Sequence, residues 1–187
     1  MPHSNASDFS DPIELSQLAR RLRREPIWTP GPETRKVSLE REAIERLIEH
    51  RGSFLLLDRI TAVDPARGAL EAVRRVDPAD PVFRGHFPND PIYPGCLQIE
   101  MVGQLCLCCH HFQAENTHEI PRAAKPRRFR GVQVHGASFL RAIAPGDEVT
   151  IRALLLASDT LAMTCAGQLL LGGEICAVSV MEAYFVD

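Results

Sequence analysis

Apolar residues change their spacing several times along the chain, and each change marks an element. Leu39, Ala43, Ile44, Leu47 and Ile48 recur on one face, with Ser38 placed as N-cap and Gly52 as a stop, which predicts a short helix. Two β-rich runs follow, Phe54 to Val63 and Ala69 to Val76, divided by Asp64-Pro65 and Gly68. Residues 78–94 hold five prolines (78, 81, 88, 91 and 94), so a long ordered loop is expected there and neither helix nor central strand. From Gly95 to about Phe112 the chain is apolar round most of a helical circumference, through Cys96, Leu97, Ile99, Met101, Val102, Leu105, Leu107 and Cys108. A helix of that kind is buried.

Beyond a polar connector from Gln113 to Arg130, strands are predicted at about 132–143, 148–156, 162–171 and 174–185. Turns fall at Pro145-Gly146-Asp147, Ser158-Asp159 and Gly172-Gly173, the last reading as a tight hairpin. One long buried helix with about six strands in antiparallel succession is an α+β pattern, a curved antiparallel sheet wrapped around the central helix. Residues 1–36 differ from the rest, with prolines at 2, 12, 26, 30 and 32 and little sustained periodicity. They are expected to form a loosely ordered N-terminal extension ahead of a folded domain at 37–187. Within the extension Ile13, Leu15, Leu18 and Leu22 can form a turn or two of amphipathic helix that ends in Arg20, Arg21, Arg23 and Arg24.

Composition narrows the function classes. The chain has 187 residues, 45% hydrophobic and 24% charged, with a formal charge of -3, which fits one globular domain and gives no global basic excess for nucleic acid. Its longest apolar runs, Ala153–Ala157 and Leu105–Cys109, fall far short of the ~20 residues that span a bilayer. The first sixteen residues lack the basic start, apolar stretch and cleavage site of a secretory signal, so a reducing cytoplasm is expected. The six cysteines are accordingly read as small buried hydrophobes.

Three features carry candidate chemistry. His86 lies in Arg84-Gly85-His86-Phe87-Pro88, just before the buried helix. Glu100 lies on that helix, where desolvation is expected to raise its pKa and leave a proton donor near neutral pH. Gly95, following Pro94, opens the helix, where unpaired N–H groups and the helix dipole suit a developing oxyanion. An imidazole, a carboxyl and a helix N-terminus can together remove a proton next to a carbonyl, hold the enolate and protonate a departing hydroxide.

The same residues carry a resemblance. His50-Arg51-Gly52-Ser53-Phe54-Leu55-Leu56-Leu57-Asp58-Arg59, Gly85-His86-Phe87-Pro88, and Pro91-Ile92-Tyr93-Pro94-Gly95-Cys96-Leu97-Gln98-Ile99-Glu100 with Gln104 resemble 3-hydroxyacyl-[acyl-carrier-protein] dehydratases of the FabZ type. So does Phe139-Leu140-Arg141-Ala142-Ile143-Ala144-Pro145-Gly146-Asp147. The resemblance covers about residues 40–187 and implies a hot-dog fold that assembles as a homodimer or trimer of dimers, with each active site between two subunits. It places His86 and Glu100 on the catalytic pair and Gly95 N–H on the thioester carbonyl, with no cofactor. The acid is Glu and not the Asp of the related dehydratase-isomerases, which disfavours isomerisation. The extension, Gly52-Ser53 in place of an aromatic-Pro pair, and the cysteine-rich helix end depart from the family pattern.

Cys106-Leu107-Cys108-Cys109-His110 satisfies C-x-x-C-H, but on a buried helix neither haem attachment nor a tetrahedral zinc site is expected, and no metal is assigned. Arg122, Lys125, Arg127, Arg128 and Arg130 form a basic connector for docking an acidic acyl carrier protein, favoured over nucleic acid. A hot-dog thioesterase and a non-catalytic acyl-binding subunit are the alternative readings.

Overall fold

In the computed structural model, which describes residues 11–186, the strands are β1 (Arg35–Glu40), β2 (Arg59–Asp64), β3 (Ala69–Arg75), β4 (Phe129–Phe139), β5 (Glu148–Ser158), β6 (Ala162–Leu171) and β7 (Glu174–Phe185). The helices are α1 (Pro12–Arg21), the single turn α2 (Arg41–Ile44) and α3 (Gly95–Ala114). All pairings are antiparallel, and the seven strands make one sheet in the order β1-β2-β3-β5-β6-β7-β4. The 20-residue α3 packs chiefly on β5 and β6, burying Met101, Val102, Leu105, Cys106, Cys108, Cys109 and Phe112. This is the hot-dog arrangement. The helix comes so close to the sheet that a Cβ added at Gly167 would stand 2.5 Å from Val102 Cγ1 and 2.7 Å from the Arg152 carbonyl oxygen.

The Gly172-Gly173 hairpin sits between β6 and β7 with φ of +61° and +88°, angles that glycine adopts without strain. The proline-rich loop contains one turn of 3-10 helix at Pro81–Arg84 and is otherwise irregular. Other expectations are corrected. Ser38 is not a helix cap; it lies in β1, whose Leu39 pairs with Ile60, and the helix shrinks to the turn α2. Strand pairing satisfies more backbone groups here than a short helix could, and it adds a seventh strand. The run from Phe54 becomes strand only at Arg59, because Leu55, Leu56 and Leu57 sink into the core and Leu56 N–H donates to the Gln104 side chain at 2.7 Å. Cys96 is exposed, unlike the other five cysteines. Burial pushes the Cys108 and Cys109 thiols up, keeping them neutral.

Part of the N-terminal segment packs on the outer face of the sheet, while most of its described residues stay exposed. Asp11 caps α1 through its side chain, which accepts from Ile13 N–H at 2.8 Å. Leu15, Ala19 and Leu22 bury themselves on Ala166, Val178 and Val180, which point away from α3. Gln168, fully buried, bonds the carbonyls of Leu22 and Glu25 at 2.6 and 2.7 Å and accepts from Ile27 N–H at 2.8 Å. Trp28 covers Ala62 and Ala69. Residues 1–10 lie outside the described residues.

Tyr93, next to the site, offers a pH test. Its hydroxyl is buried without a hydrogen-bond partner among the described residues, and burial pushes its pKa up to about 12, with Arg74 opposing. The unfolded chain ionises tyrosine near 10, so this contribution to stability is complete below about pH 10 and is lost as pH rises to about 12. Tyrosinate absorbance is expected to show Tyr93 ionising only as the fold is lost, while Tyr93→Phe removes that alkaline component.

Candidate active site

Each catalytic candidate is fixed by its own stretch of chain. His86 follows the Pro81–Arg84 turn, where its N–H donates to the Val82 carbonyl at 3.0 Å and its carbonyl accepts from Ile92 N–H at 3.1 Å. Its Nδ1 lies 2.8 Å from the Ile92 carbonyl oxygen. A carbonyl can only accept, so Nδ1 carries the hydrogen and Nε2 is left with the lone pair, the form required of a general base. The ring stacks on Phe87 at 4.1 Å between centroids.

Gly95 is the first residue of α3, after Pro94. The Pro94 carbonyl accepts from Leu97 and Gln98 N–H, both at 3.1 Å, while Gly95 N–H has no partner among the described residues. Phe139, at the end of β4, stands where a side chain would go: a Cβ at Gly95 would meet its ring at 2.7 Å. A side chain there would have to push the half-exposed Phe139 ring aside.

Glu100 lines a cleft of about 380 Å³ between α3 and the strands β4 and β7, with Ile99, Gly103, Leu107, Val134 and Met181 among its walls. Its Oε1 lies 3.1 Å from His50 Nε2 and accepts from Gln104 Nε2 at 2.8 Å. Gln104 is held in turn, since its Oε1 accepts from Leu56 N–H and its Nε2 also donates to the Phe54 carbonyl at 2.8 Å. The expected rise in the Glu100 pKa is corrected. Hydrogen bonding from His50, with help from Gln104, outweighs desolvation and holds the carboxyl below its ordinary value. That lowering favours the carboxylate form of Glu100.

Gly95 is not among the described residues that line the Glu100 cleft. Gly95 and Glu100 are five residues apart, which at 3.6 residues per turn sets them about 140° apart round α3. His86 is not among the described residues that line the Glu100 cleft. His50 and Gln104, by contrast, meet Glu100 directly, and neither was singled out for a role from the sequence. Gln104 was accessible through its i,i+4 spacing from Glu100; His50 stood in a motif but gave no local signal of its contact.

Of the basic connector, Arg122 and Lys125 are exposed. Arg127 lies over the Phe185 ring at 3.9 Å and reaches His110 Nε2 at 3.2 Å. Arg128 and Arg130 each approach the Glu49 carboxylate at 3.9 Å. Arg127 and Arg130 line a hollow that shares His50, Leu107 and Phe129 with the Glu100 cleft.

The comparisons with known proteins decide the family. The profile of the FabA-like domain matches residues 48–179. The chain belongs to the FabA-like domain family. It is 30% identical over 144 residues to a protein named 3-hydroxyacyl-[acyl-carrier-protein] dehydratase FabZ from Campylobacter curvus, covering 77% of this chain and 95% of that one. A FabZ of Neisseria meningitidis is 35% identical over 127 residues, covering 66% and 78%. Among solved structures, the dehydratase heterocomplex ApeI:P from Xenorhabdus doucetiae superimposes with a TM-score of 0.57 at 18% identity, covering 77% of this chain and 91% of the matched one. That last likeness is one of fold. The FabA-like match spans His86, Gly95, Glu100, His50 and Gln104 alike.

Proposed function

We infer that this FabA-like chain dehydrates a 3-hydroxyacyl thioester on acyl carrier protein to the trans-2-enoyl thioester in fatty-acid biosynthesis. The observation that carries the reading is the His86 ring, whose Nδ1 is committed to the Ile92 carbonyl and whose Nε2 is free to act as base. His86 Nε2 takes the α-proton, and the electron pair moves into the enolate, whose oxygen is held by Gly95 N–H. Collapse of the enolate forms the Cα=Cβ bond and breaks the Cβ–O bond. The hydroxide leaves as water with a proton from Glu100, directly or through a bound water. An acyl chain filling the cleft excludes solvent and strengthens the desolvation that opposes the carboxylate, so Glu100 gains its proton on substrate binding. Charge balances with one imidazolium and one carboxylate left to exchange a proton through solvent. No cofactor is required.

The working unit is a homodimer in the cytoplasm. Two observations support the assembly: Gly95 and Glu100 face apart on one helix, and β4 is a sheet edge with Val132 and Val134 about half exposed, the surface that pairing with a second copy would cover. No helix among the described residues is long and apolar enough to cross a membrane.

The basic connector docks the carrier, with Arg127 and Arg130 at the hollow leading to the cleft. Mass spectrometry of a 3-hydroxyacyl carrier protein should show loss of one water on the intact thioester; release of free acid would instead identify a thioesterase. Replacing Arg127 and Arg130 by Gln is expected to raise KM for the carrier-borne substrate about tenfold, while a small thioester surrogate reacts at the parental rate. Equal slowing of both substrates would refute docking by this surface.

A further inference from the structure

We propose that His50 is a positioning residue that, together with Gln104, clamps Glu100 Oε1 and thereby confines the catalytic proton to Oε2. The inference rests on the role given to Glu100 above and adds which of its oxygens reacts and what enforces that choice.

Leu56 N–H donates to Gln104 Oε1 at 2.7 Å, so the Gln104 amide is oriented with its nitrogen toward Glu100 and the Phe54 carbonyl. Gln104 Nε2 then donates to Glu100 Oε1, which must act as acceptor. His50 Nε2 stands 3.1 Å from the same oxygen. His50 Nδ1 is buried with no partner among the described residues. An ionised carboxylate oxygen can only accept, so the ring hydrogen that faces Glu100 is carried by His50 Nε2. Two donors thus converge on Oε1 and leave no room for a proton there. Glu100 Oε2 takes no hydrogen bond among the described residues.

The loop that carries the imidazole is itself tied down. The His50 ring lies stacked with Phe54 at 6.1 Å and 18° between planes. Arg51 ties the same loop down, its guanidinium donating to the carbonyls of Ile48, His50 and Glu45 at 2.6, 2.7 and 2.8 Å. Two donors on one oxygen restrict the carboxyl and occupy Oε1, so a proton gained on substrate binding sits at Oε2 and is presented to the leaving hydroxyl.

The test is a double-mutant cycle on the full chain with a 3-hydroxyacyl thioester surrogate. His50→Leu removes the donor, and His50→Asn leaves an amide one methylene too short to reach. Both are expected to lower kcat by about ten- to a hundredfold, the cost of a misplaced reacting group, with KM unchanged. His50→Gln restores a nitrogen donor near the Nε2 position and is expected to recover most of kcat. In a Glu100→Gln background, where the reactive proton is already gone, His50→Leu is expected to cause no further loss. If His50→Leu fails to fold, the comparison of Asn with Gln decides, since both are polar amides differing in reach. The proposal is overturned if His50→Gln is as slow as His50→Asn, if His50→Leu leaves kcat intact, or if it costs the same factor with and without Glu100. A fully active Glu100→Gln protein would instead remove the role of Glu100 itself, which separates failure of the underlying reading from failure of the clamp.

Discussion

Mixing His86→Ala chains with Glu100→Gln chains is expected to restore about a quarter of wild-type turnover from two parents that are each nearly inactive, the symmetry result for a two-site dimer. Loss of the general base or the acid alone should cost about 10²- to 10⁴-fold. If the site joins His86 and Gly95 of one subunit to Glu100 of the other, each mixed dimer holds one site with both residues intact and one with neither. Random redistribution makes half of the dimers mixed, and half of their sites work. A site contained within one chain predicts no recovery, because every site would keep one defect. The separation of Gly95 from Glu100 round α3, and the absence of His86 from the described lining of the Glu100 cleft, both favour recovery. Native mass spectrometry of tagged chains must first establish that subunits exchange; with mixed dimers present, a flat activity would refute the shared site.

How much of this was legible in the sequence depends on whether the decisive contact is local. The β6–β7 hairpin was read correctly because Gly172-Gly173 and the apolar runs on both sides are local signals. The start of α3 was legible for the same reason, with Pro94 just outside the helix and an apolar circumference following. β1 was missed because its two apolar residues, Val37 and Leu39, merge into the helical spacing of Ala43, Ile44, Leu47 and Ile48. Only pairing with β2, some twenty residues later, distinguishes them. The direction of the Glu100 pKa was misread because burial can be inferred from neighbours along the helix, whereas the His50 contact comes from a residue fifty positions away. The packing of α1 leaves a trace in the sequence of β6. Along β6 both alternating sets are buried, Met163, Cys165 and Leu169 beneath α3 and Ala166 and Gln168 beneath the N-terminal segment. A strand buried on both faces needs cover on both.

That cover leads to the second large effect, on stability. Leu15→Ala is expected to destabilise the protein by about 2–4 kcal/mol, since Leu15 is fully buried and its loss opens a cavity against Ala166, Val178 and Val180. For a chain of this size that corresponds to a fall in melting temperature of roughly 4–16 °C. Deleting residues 1–34 should be more damaging. It strips Leu15, Ala19, Leu22 and Trp28 from the sheet and deprives buried Gln168 of its three backbone partners. The same deletion touches the cleft wall indirectly, because Ser16 Oγ donates to the His135 carbonyl at 3.1 Å and Ala19 fits against Gly136, both on β4. A Cβ at Gly136 would stand 2.8 Å from that of Ala19, so the strand is shaped to receive the helix. No described residue of the segment lines the Glu100 cleft, however, and the chemistry should survive where the fold does. Leu15→Ala assayed well below its melting temperature is therefore expected to keep parental kcat while unfolding at lower denaturant concentration. Parental stability in the truncated chain would show that the N-terminal segment contributes no net cover; a loss of kcat in folded Leu15→Ala would show that α1 also shapes the cleft through β4.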